Sequence, residues 1–383
     1  MEKRVEMEKI GMGKREGGRR GKWILLIGGT RPEVIKLAPM IQELHRRGIP
    51  HRFCFTGQHK EMVEGLFEFF QIEPDWDLNL ISDNPSMPQM LGLLTKKLQK
   101  IIENSSPGLI LVQGDTVSAM AGAMMGFYNR IPVGHIEAGL RTYNRLSPYP
   151  EEVNRRVIAH YTDFHFAPTG RNLHYLHQER IGGEGVVTGN SGIDALFWAV
   201  EQVKGGNGVG ELPLPSDREL VLVTIHRREN WSHLTDIFTT LRREAEKWKN
   251  LHFIFPLHLN PLIRKKAKGI LGDIPNFQLV EPLNYPQLVW VLEKARFVIT
   301  DSGGLQEEAP ALGKPVLVVR DTTERSEALE AGYLEMVGGR GEKLGEGIER
   351  VMERGGALPP FTGYGRGDSC KKIVDFLIEK GVI

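Results

Sequence analysis

Short apolar runs alternate along the chain with longer segments whose apolar residues recur at helical spacing. The short runs are rich in Val, Ile, Leu and Phe and lack strict polar–apolar alternation, which is typical of strands buried on both faces of a parallel sheet. The segments predicted as strands are Trp23–Ile27, Arg52–Thr56, Leu109–Gln113, Pro132–Ile136, Asp163–Ala167, Gly185–Thr188, Leu220–Ile225, His252–Pro256, Asn276–Val280, Phe297–Thr300 and Pro315–Val319. Those predicted as helices include Pro32–Arg47, Glu61–Phe70, Met87–Asn104 and Ser232–Trp248. Repeated strand–helix–strand order predicts an α/β fold with doubly wound sheets.

The pattern is interrupted by the Gly-rich segment 205–210 and by the Leu-Pro-Leu-Pro segment that follows. Beyond it, Leu220–Ile225 repeats the arrangement seen at Trp23–Ile27, namely a buried strand, a tight turn and a polar helix start. We therefore predict two similar α/β domains that face each other across a cleft. Ligands of such sheets bind beyond the carboxyl ends of the strands, so both turns are expected to point into the cleft.

Charge is balanced over the whole chain but uneven along it. The 383 residues include 49 Lys or Arg and 48 Asp or Glu, and residues 1–22 hold eight of the basic residues with four Glu. The rest of the chain is slightly acidic, which disfavours a nucleic-acid-binding protein because such proteins carry a basic body. Residues 1–22 are Gly-rich and nearly lack large apolar side chains, so we predict either a disordered extension or a misassigned start.

The sequence lacks the signals that are typical of several classes of protein. The cysteines Cys54 and Cys370 are too few for a disulfide framework and predict a reducing compartment, the cytoplasm. No apolar run approaches the ~20 residues that span a bilayer, so no membrane association is predicted. No G-x-G-x-x-G follows a strand, and no P-loop, HExxH or CxxC motif occurs. We therefore expect neither a nicotinamide cofactor nor P-loop phosphotransfer nor a metal site.

Polar residues follow the predicted strands of the first half. Arg31 and Lys36 lie early in a helix, where cations and free backbone N–H groups form an anion site, such as one for a diphosphate. Asp115 and Glu137 follow successive strands, so both carboxylates are expected in one cleft. The same residues allow other interpretations, a helix N-cap for Asp115 and a salt-bridged surface group for Glu137. Glu151 is typical of an ordinary helix start.

The second half also places polar groups at strand ends. His226 precedes two Arg, which fits either a phosphate or sugar contact or a solvated basic turn. The glycines of the turn 302–304 let backbone N–H groups approach a phosphate, and Ser302 adds a hydroxyl donor. A carboxylate of the pair 307–308 can accept from ribose hydroxyls, and Arg325 adds a cation at the same sheet edge.

Taken as a set, the motifs resemble those of the non-hydrolysing UDP-N-acetylglucosamine 2-epimerases. In chain order they are TRPEVIK, GQHKEM, QGDT, GHIEAGLRT, SPYPEEVNR, HRREN, HLNP, DSGGLQEEAPALGKPVLVVRDTTER and YGRGDSC. They run from about Trp23 to the C-terminus. The resemblance implies a fold of the glycosyltransferase-B type, with two Rossmann-like domains. Residues 23–190 would form the first domain together with a C-terminal helix at 366–383, and residues 191–365 would form the UDP-binding domain.

The resemblance also implies a reaction and its residues. The family reversibly converts UDP-N-acetylglucosamine to UDP-N-acetylmannosamine, usually as a homodimer and without cofactor or metal. We hypothesise anti elimination of UDP to 2-acetamidoglucal and re-addition, with one acid–base group on each face of C2. The catalytic residues would be Asp115, Glu137, Glu151 and His226. The UDP and substrate contacts would be Arg31, Lys36, Ser302, Gly303, Gly304, Glu308 and Arg325. Activation by the substrate at a second site would use Gln58, Arg228 and His258.

Other functions stay open at this point. A 2-epimerase of a modified UDP-sugar, such as a diacetamido-uronate, would use the same motifs. A glycosyltransferase of the same fold would pass the sugar to an acceptor instead of returning UDP to C1. A UDP-sugar sensor would bind without turnover, although it would not need several candidate acid–base carboxylates. A nucleic-acid-binding role would depend on residues 1–22 alone.

Overall fold

Two parallel β-sheets and the helices that connect their strands make up the chain. A computed structural model describes residues 22–57, 63–80, 85–210, 212–355 and 358–383. The strands are β1 Ile24–Gly28, β2 His51–Phe55, β3 Trp76–Asp77, β4 Leu109–Gln113, β5 Val133–Ile136, β6 Phe164–Ala167, β7 Glu184–Val187, β8 Glu219–Thr224, β9 Leu251–Pro256, β10 Phe277–Val280, β11 Ala295–Thr300, β12 Val316–Val318 and β13 Leu334–Met336. The first sheet has the order β3-β2-β1-β4-β5-β6-β7 and the second has the order β10-β9-β8-β11-β12-β13.

The helices connect successive parallel strands, as the predicted βαβ pattern requires. They are α1 Arg31–Arg46, α2 Glu64–Phe70, α3 Met87–Ser105, α4 Val117–Tyr128, α5 Glu151–Tyr161, α6 Gly170–Gln178, α7 Ser191–Lys204, α8 Leu234–Lys247, α9 Pro261–Leu271, α10 Tyr285–Lys294, α11 Leu305–Ala311, α12 Ser326–Glu330, α13 Leu344–Arg354 and α14 Ser369–Glu379. A 3₁₀ helix, Arg228–His233, precedes α8. The predicted α/β class with two parallel sheets is confirmed.

The predicted strands all lie in the two sheets, with bounds that differ from the predicted ones by at most two residues. The apolar runs predict them because β1, β4 and β5 are buried along their whole length. The edge strands β3 and β13 were not predicted, since runs of two or three residues carry no periodicity. Helix α2 begins at Glu64, and the earlier part of its predicted span falls outside the described residues.

Glu33 fixes the turn between β1 and α1. Its carboxylate accepts from the backbone N–H groups of Gly29 (3.0 Å) and Thr30 (2.8 Å), as in a capping box. The other oxygen accepts from the Thr116 hydroxyl at 2.6 Å, at the start of α4. One buried side chain therefore ties the carboxyl ends of β1 and β4 together, where Arg31 and Asp115 lie.

The C-terminal helix α14 packs against α1 and α7. Asp194 on α7 accepts from the backbone N–H groups of Ser369 (3.2 Å) and Cys370 (2.9 Å) at the start of α14. The Phe376 ring meets the Phe166 ring edge to face, with centroids 5.8 Å apart. These contacts bring the end of the chain back to the first sheet, while the division into residues 23–190 and 191–365 stays a prediction.

Two predictions fall outside the part of the chain that the structure describes. One is the extension at residues 1–22, apart from Lys22, and the other is the site residue Gln58. In the described residues, no helix has both the length and the apolar character that crossing a membrane demands.

Candidate active site

Glu137 and Lys36 form a buried ion pair at the carboxyl edge of the first sheet. Glu137 directly follows β5, and Lys36 lies on α1 with its Nζ 2.6 Å from both Glu137 carboxylate oxygens. Gln113, the last residue of β4, donates its side-chain amide to the same carboxylate. The interpretation of Glu137 as a salt-bridged surface group is therefore wrong, since its salt bridge is buried and its partner is Lys36.

Each charge of this ion pair stabilises the ionised form of the other residue. Burial opposes the ionisation of Glu137, but Lys36 at hydrogen-bond distance, with Arg325 and Arg155 nearby, holds the pKa of Glu137 below its usual range. Burial likewise opposes the charge on Lys36, but Glu137 and Glu307 raise its pKa. At neutral pH, Glu137 is therefore an ionised carboxylate.

The backbone at Glu137 is unusual for a residue with a side chain. Its φ is 70°, in the left-handed region that favours glycine. The strand β5 ends there in a sharp turn, which aims the carboxylate back toward Gln113 and Lys36. Backbone strain of this kind concentrates at functional sites, because surrounding contacts must hold it in place.

Asp115 pairs with Arg155 of α5 across the same sheet edge. The Asp115 Oδ2 atom accepts from Arg155 Nε at 2.9 Å and from Nη2 at 2.7 Å. The N-cap of α4 is Thr116, which accepts from the backbone N–H of Ala119 at 3.1 Å, so the N-cap interpretation of Asp115 is wrong. Asp115 is about one-quarter exposed, and a partly open carboxylate can reach a ligand in the cleft.

The start of α5 carries two acidic residues with different roles. Glu151 lies one helical turn before Arg155 and therefore shares its face of the helix. Glu152 is fully buried and accepts from the backbone N–H groups of Thr142 (2.9 Å) and Tyr143 (3.1 Å). Glu152 thus holds the loop that connects β5 to α5, whereas Glu151 is half-buried and remains the candidate catalytic residue of this helix.

Asp301 organises the carboxyl edge of the second sheet. It follows β11, is fully buried, and accepts from the backbone N–H groups of His226 (2.9 Å) and Arg227 (2.8 Å) and from the Asn230 side chain (3.0 Å). The Nδ1 atom of His226 lies 3.3 Å from the Asp301 carboxylate. The His226 ring stacks on His258, with centroids 5.8 Å apart. Asp301 therefore sets the position of His226.

Arg325 lies against the Ser-Gly-Gly turn between β11 and α11. A Cβ atom placed on Gly303 would come within 3.1 Å of the Arg325 guanidinium, so a side chain there would push the guanidinium away by a few tenths of an ångström. Arg325 Nε donates to Glu307 at 2.9 Å, and Nη1 forms an ion pair with Glu324. The other guanidinium edge and the Ser302–Gly304 turn together offer donors to an anion.

Arg31 faces the second half of the chain, beside Glu308 and Tyr285. Burial lowers the pKa of Arg31, although the carboxylate of Glu308 and the phenol of Tyr285 act in the opposite direction. Arg31 and Tyr285 line a cavity of about 700 Å³ whose apolar wall includes Leu283. Burial, assisted by the charge of Glu307, raises the pKa of Glu308 to about 7.

Replacing Glu308 with glutamine is expected to change how stability depends on pH. The raised pKa of Glu308, about 7 against an ordinary 4.5, means that the folded protein holds this proton more tightly than the unfolded chain. The protonated Glu308 side chain contributes fully to stability below the pKa that it has in the unfolded chain. This contribution is lost as the pH rises through its pKa in the folded protein. Between pH ~5 and ~8, the melting temperature of the wild type should therefore fall relative to Glu308→Gln. Thermal unfolding of both proteins across this range tests it, and parallel curves would contradict it.

The two sheet edges face each other across a cleft. A cavity of about 790 Å³ is lined by the loop after β5 on one side and by Arg227, Arg228 and residues 322–324 on the other. Arg228 lies 5.9 Å from the Trp231 ring centroid, and His258 lies beside His226. Of the predicted second-site residues, Arg228 and His258 therefore lie on the second sheet's side, near His226.

Several residues that form polar contacts in this site were not predicted. They are Gln113, Glu152, Arg155, Asn190 and Asp301, whereas Glu307 was predicted only as one of two candidate ribose contacts. A polar residue at a strand end was a usable signal for Gln113 and Asp301. The described residues contain no cluster of three or more His, Cys, Asp or Glu that could hold a metal ion.

Comparison with known protein families matches residues 42–378 to the UDP-N-acetylglucosamine 2-epimerase family model. The chain belongs to this family. The UDP-N-acetylglucosamine 2-epimerase of Campylobacter jejuni is 38% identical over 94% of this chain and 98% of its own length. The epimerase of Neisseria meningitidis, in a crystal structure bound to UDP-GlcNAc, is 39% identical with a TM-score of 0.86, over 93% of this chain and all of that one.

Structures of more distant proteins extend the comparison. The Methanocaldococcus jannaschii epimerase, in complex with UDP-GlcNAc and UDP, is 30% identical with a TM-score of 0.77, over 93% of this chain and 99% of that one. The kitacinnamycin glycotransferase is 16% identical with a TM-score of 0.53, over 94% of this chain and 96% of that one, a likeness of fold alone. Epimerases of this family thus share the two-domain architecture of the glycosyltransferase-B type, as predicted.

Proposed function

We infer that the chain is an isomerase that interconverts UDP-N-acetylglucosamine and UDP-N-acetylmannosamine. Family membership over most of the chain supports this activity, as do similar epimerases crystallised with UDP-GlcNAc and with UDP. The single observation on this chain that carries the proposal is the pair of carboxylates, Asp115 and Glu137, at adjacent strand ends opposite the Arg325 turn. A UDP-sugar that reaches across the cleft would meet acid–base groups at one end and anion donors at the other.

The proposed reaction removes and returns one proton and one leaving group. A carboxylate takes the C2 proton while the C1–O bond breaks, and the electron pair of that bond leaves with UDP. The product pair is 2-acetamidoglucal and UDP. Re-addition forms the C1–O bond again while a second acid–base group delivers a proton to the opposite face of C2, which inverts that centre.

The first sheet's side would supply the acid–base carboxylates. Glu137 is held ionised by Lys36, and this is the form that accepts a proton. Asp115 projects from the next strand and remains about one-quarter exposed. Glu151, at the start of α5, is the third carboxylate on this side, whereas His226 joins the proposed set from the second sheet, just after β8.

The second sheet's side would stabilise the leaving group. Negative charge grows on the diphosphate as the C1–O bond breaks, so donors aimed at it lower the barrier. Gly303 brings the Arg325 guanidinium against the turn that also carries Ser302 and Gly304. Arg31 and Glu308 would contact the nucleoside part of the substrate.

Reaction in deuterium oxide is expected to place deuterium at C2 of both epimers. The abstracted proton exchanges with solvent on an open carboxylate, so the returned hydrogen carries the solvent label. Proton NMR or mass spectrometry of the recovered UDP-sugars measures it, with UDP-GlcNAc incubated without enzyme as the control. Epimerised product without deuterium would rule out exchange of the C2 proton.

Incubation with UDP-GlcNAc alone separates this proposal from its enzyme alternatives. An epimerase forms UDP-ManNAc without any acceptor, whereas a glycosyltransferase needs one. The likeness to a glycotransferase is confined to the fold. A 2-epimerase of a modified UDP-sugar would turn over a diacetamido-uronate substrate faster than UDP-GlcNAc, and parallel assays of the two compare them.

Assembly, activation and location belong to the same proposal. We expect a homodimer, and activation by UDP-GlcNAc at a second site that uses Gln58, Arg228 and His258. A reducing cytoplasmic location agrees with Cys54 and Cys370, which are both buried and free.

A further inference from the structure

Glu307 is a buried carboxylate that contacts both sides of the cleft. It lies on α11, directly before Glu308. Its Oε1 atom accepts from Arg325 Nε at 2.9 Å, and its Oε2 atom accepts from the side-chain amide of Asn190. Arg325 belongs to the second sheet's edge, whereas Asn190 follows β7 of the first sheet. One carboxylate therefore joins the proposed diphosphate site to the opposite half of the molecule.

Asn190 lies where the chain leaves the first sheet and enters α7, a helix that packs on α1 of the first half and on α10 and α11 of the second. Asn190 is the N-cap of α7, and its side-chain oxygen accepts from the backbone N–H of Gly192 at 2.8 Å. That bond leaves the amide nitrogen as the group that faces Glu307. Gly192 lies against the stem of Lys36, since a Cβ placed there would be 3.5 Å from Lys36 Cε. The turn that presents Asn190 thus packs on the cation that holds Glu137.

We propose that Glu307 is a positioning residue that aligns the Arg325 guanidinium on the Ser302–Gly304 turn, and that its bond to Asn190 makes this alignment depend on contact between the two halves. This inference rests on the proposed epimerase activity and adds a residue to its leaving-group site. Glu307 would touch neither the sugar nor the diphosphate. Its action would pass through Arg325, whose Nη2 edge it directs toward the turn.

The geometry explains why a carboxylate is needed at this position. Two donors converge on Glu307, one from each half, and only a group with two acceptor oxygens satisfies both. Glu324 forms an ion pair with Nη1 of Arg325, so Glu307 and Glu324 together restrict the rotation of the guanidinium. Glutamine at position 307 would accept one bond and turn its NH₂ group toward the other donor.

Glu307→Gln is expected to lower kcat by about 10- to 100-fold, because a transition-state donor loses its alignment. The affinity for UDP should be kept or should rise, because the substitution removes one negative charge beside Arg325. A merely structural role would instead lower UDP affinity and folded fraction together. The matched control is Glu330→Gln, which removes another ion pair between the halves, with Arg171, that does not touch Arg325.

The double variant Asn190→Asp/Glu307→Gln exchanges donor and acceptor in the hydrogen bond between positions 190 and 307. The aspartate introduced at position 190 can still cap α7. It can also accept from the NH₂ group of the new glutamine, while the oxygen of that glutamine accepts from Arg325. We expect kcat to recover to within about threefold of the wild type, since the lost alignment is worth about 10- to 100-fold. In an Arg325→Ala background, Glu307→Gln should lower kcat by less than about twofold further, because both changes remove the same interaction.

Steady-state kinetics on UDP-GlcNAc and calorimetric titration with UDP measure these effects on the full chain. If Glu307→Gln keeps kcat within about twofold of the wild type, or if its effect multiplies with that of Arg325→Ala, the inference is overturned. Wild-type protein that folds and binds UDP but does not epimerise would instead overturn the proposed function. The two failures are therefore separate results of one set of assays.

Discussion

Glu137→Gln is expected to lower kcat by a factor on the order of a hundred or more, because it removes the ionised carboxylate that would accept the C2 proton. It should also lower stability. Lys36 would lose its partner at 2.6 Å, and a buried ion left without its partner costs about 3–5 kcal/mol. Steady-state turnover of UDP-GlcNAc and thermal unfolding measure the two effects.

A second substitution separates catalysis from folding. In Lys36→Met/Glu137→Gln both charges are gone, so the melting temperature should return toward that of the wild type while turnover stays low. Glu43→Gln is the matched control, because Glu43 forms its ion pairs with Arg46 and Arg47 on α1 and just beyond it. Near-normal kcat in the stabilised double variant would remove Glu137 from the proposed role.

Asp115→Asn is expected to reduce kcat by a similar factor of about a hundred, but with little change in stability. Asparagine keeps one oxygen for Arg155, and Arg155 retains its ion pair with Glu152 at 3.2 Å. Asp115 is also partly exposed, so the loss of its charge costs little in folding. Turnover and melting temperature, measured on the same preparation, test the expected loss of kcat and the expected unchanged stability.

The control for Asp115 is another aspartate paired with an arginine. Asp273 binds Arg242 through both carboxylate oxygens, at 2.7 and 3.0 Å, on the surface of the second half. Asp273→Asn should leave kcat unchanged. If Asp115→Asn turned over UDP-GlcNAc as fast as Asp273→Asn, Asp115 would have no part in proton transfer.

Local patterns predicted much of the fold. The apolar runs of β1, β4 and β5 are continuous because both faces of these strands are buried. The helix predicted from Pro32 begins one residue earlier, at Arg31, where Thr30 and Glu33 form the capping box. The short strands β3 and β13 were not predicted, because two or three residues show no periodic pattern. Only their pairing in the sheet makes them strands.

The sequence predicted several residues of the candidate site but not the contacts between them. Asp115 and Glu137 were expected in one cleft, since successive parallel strands end at one edge. Their partners were not expected. Arg155 lies 40 positions from Asp115, and Lys36 lies 101 positions from Glu137. The N-cap interpretation of Asp115 was wrong because the adjacent Thr116 supplies the cap.

The sequence by itself therefore determined the α/β class, the repeated strand–turn–helix unit and the polar residues at the strand ends, because each depends on neighbours within a few positions. Tertiary structure decided which charges neutralise each other, and with them which carboxylate is held ionised. The bond from Asn190 to Glu307 spans 117 positions and joins the two halves. No local pattern encodes such a contact, since it exists only once both sheets have formed and face each other.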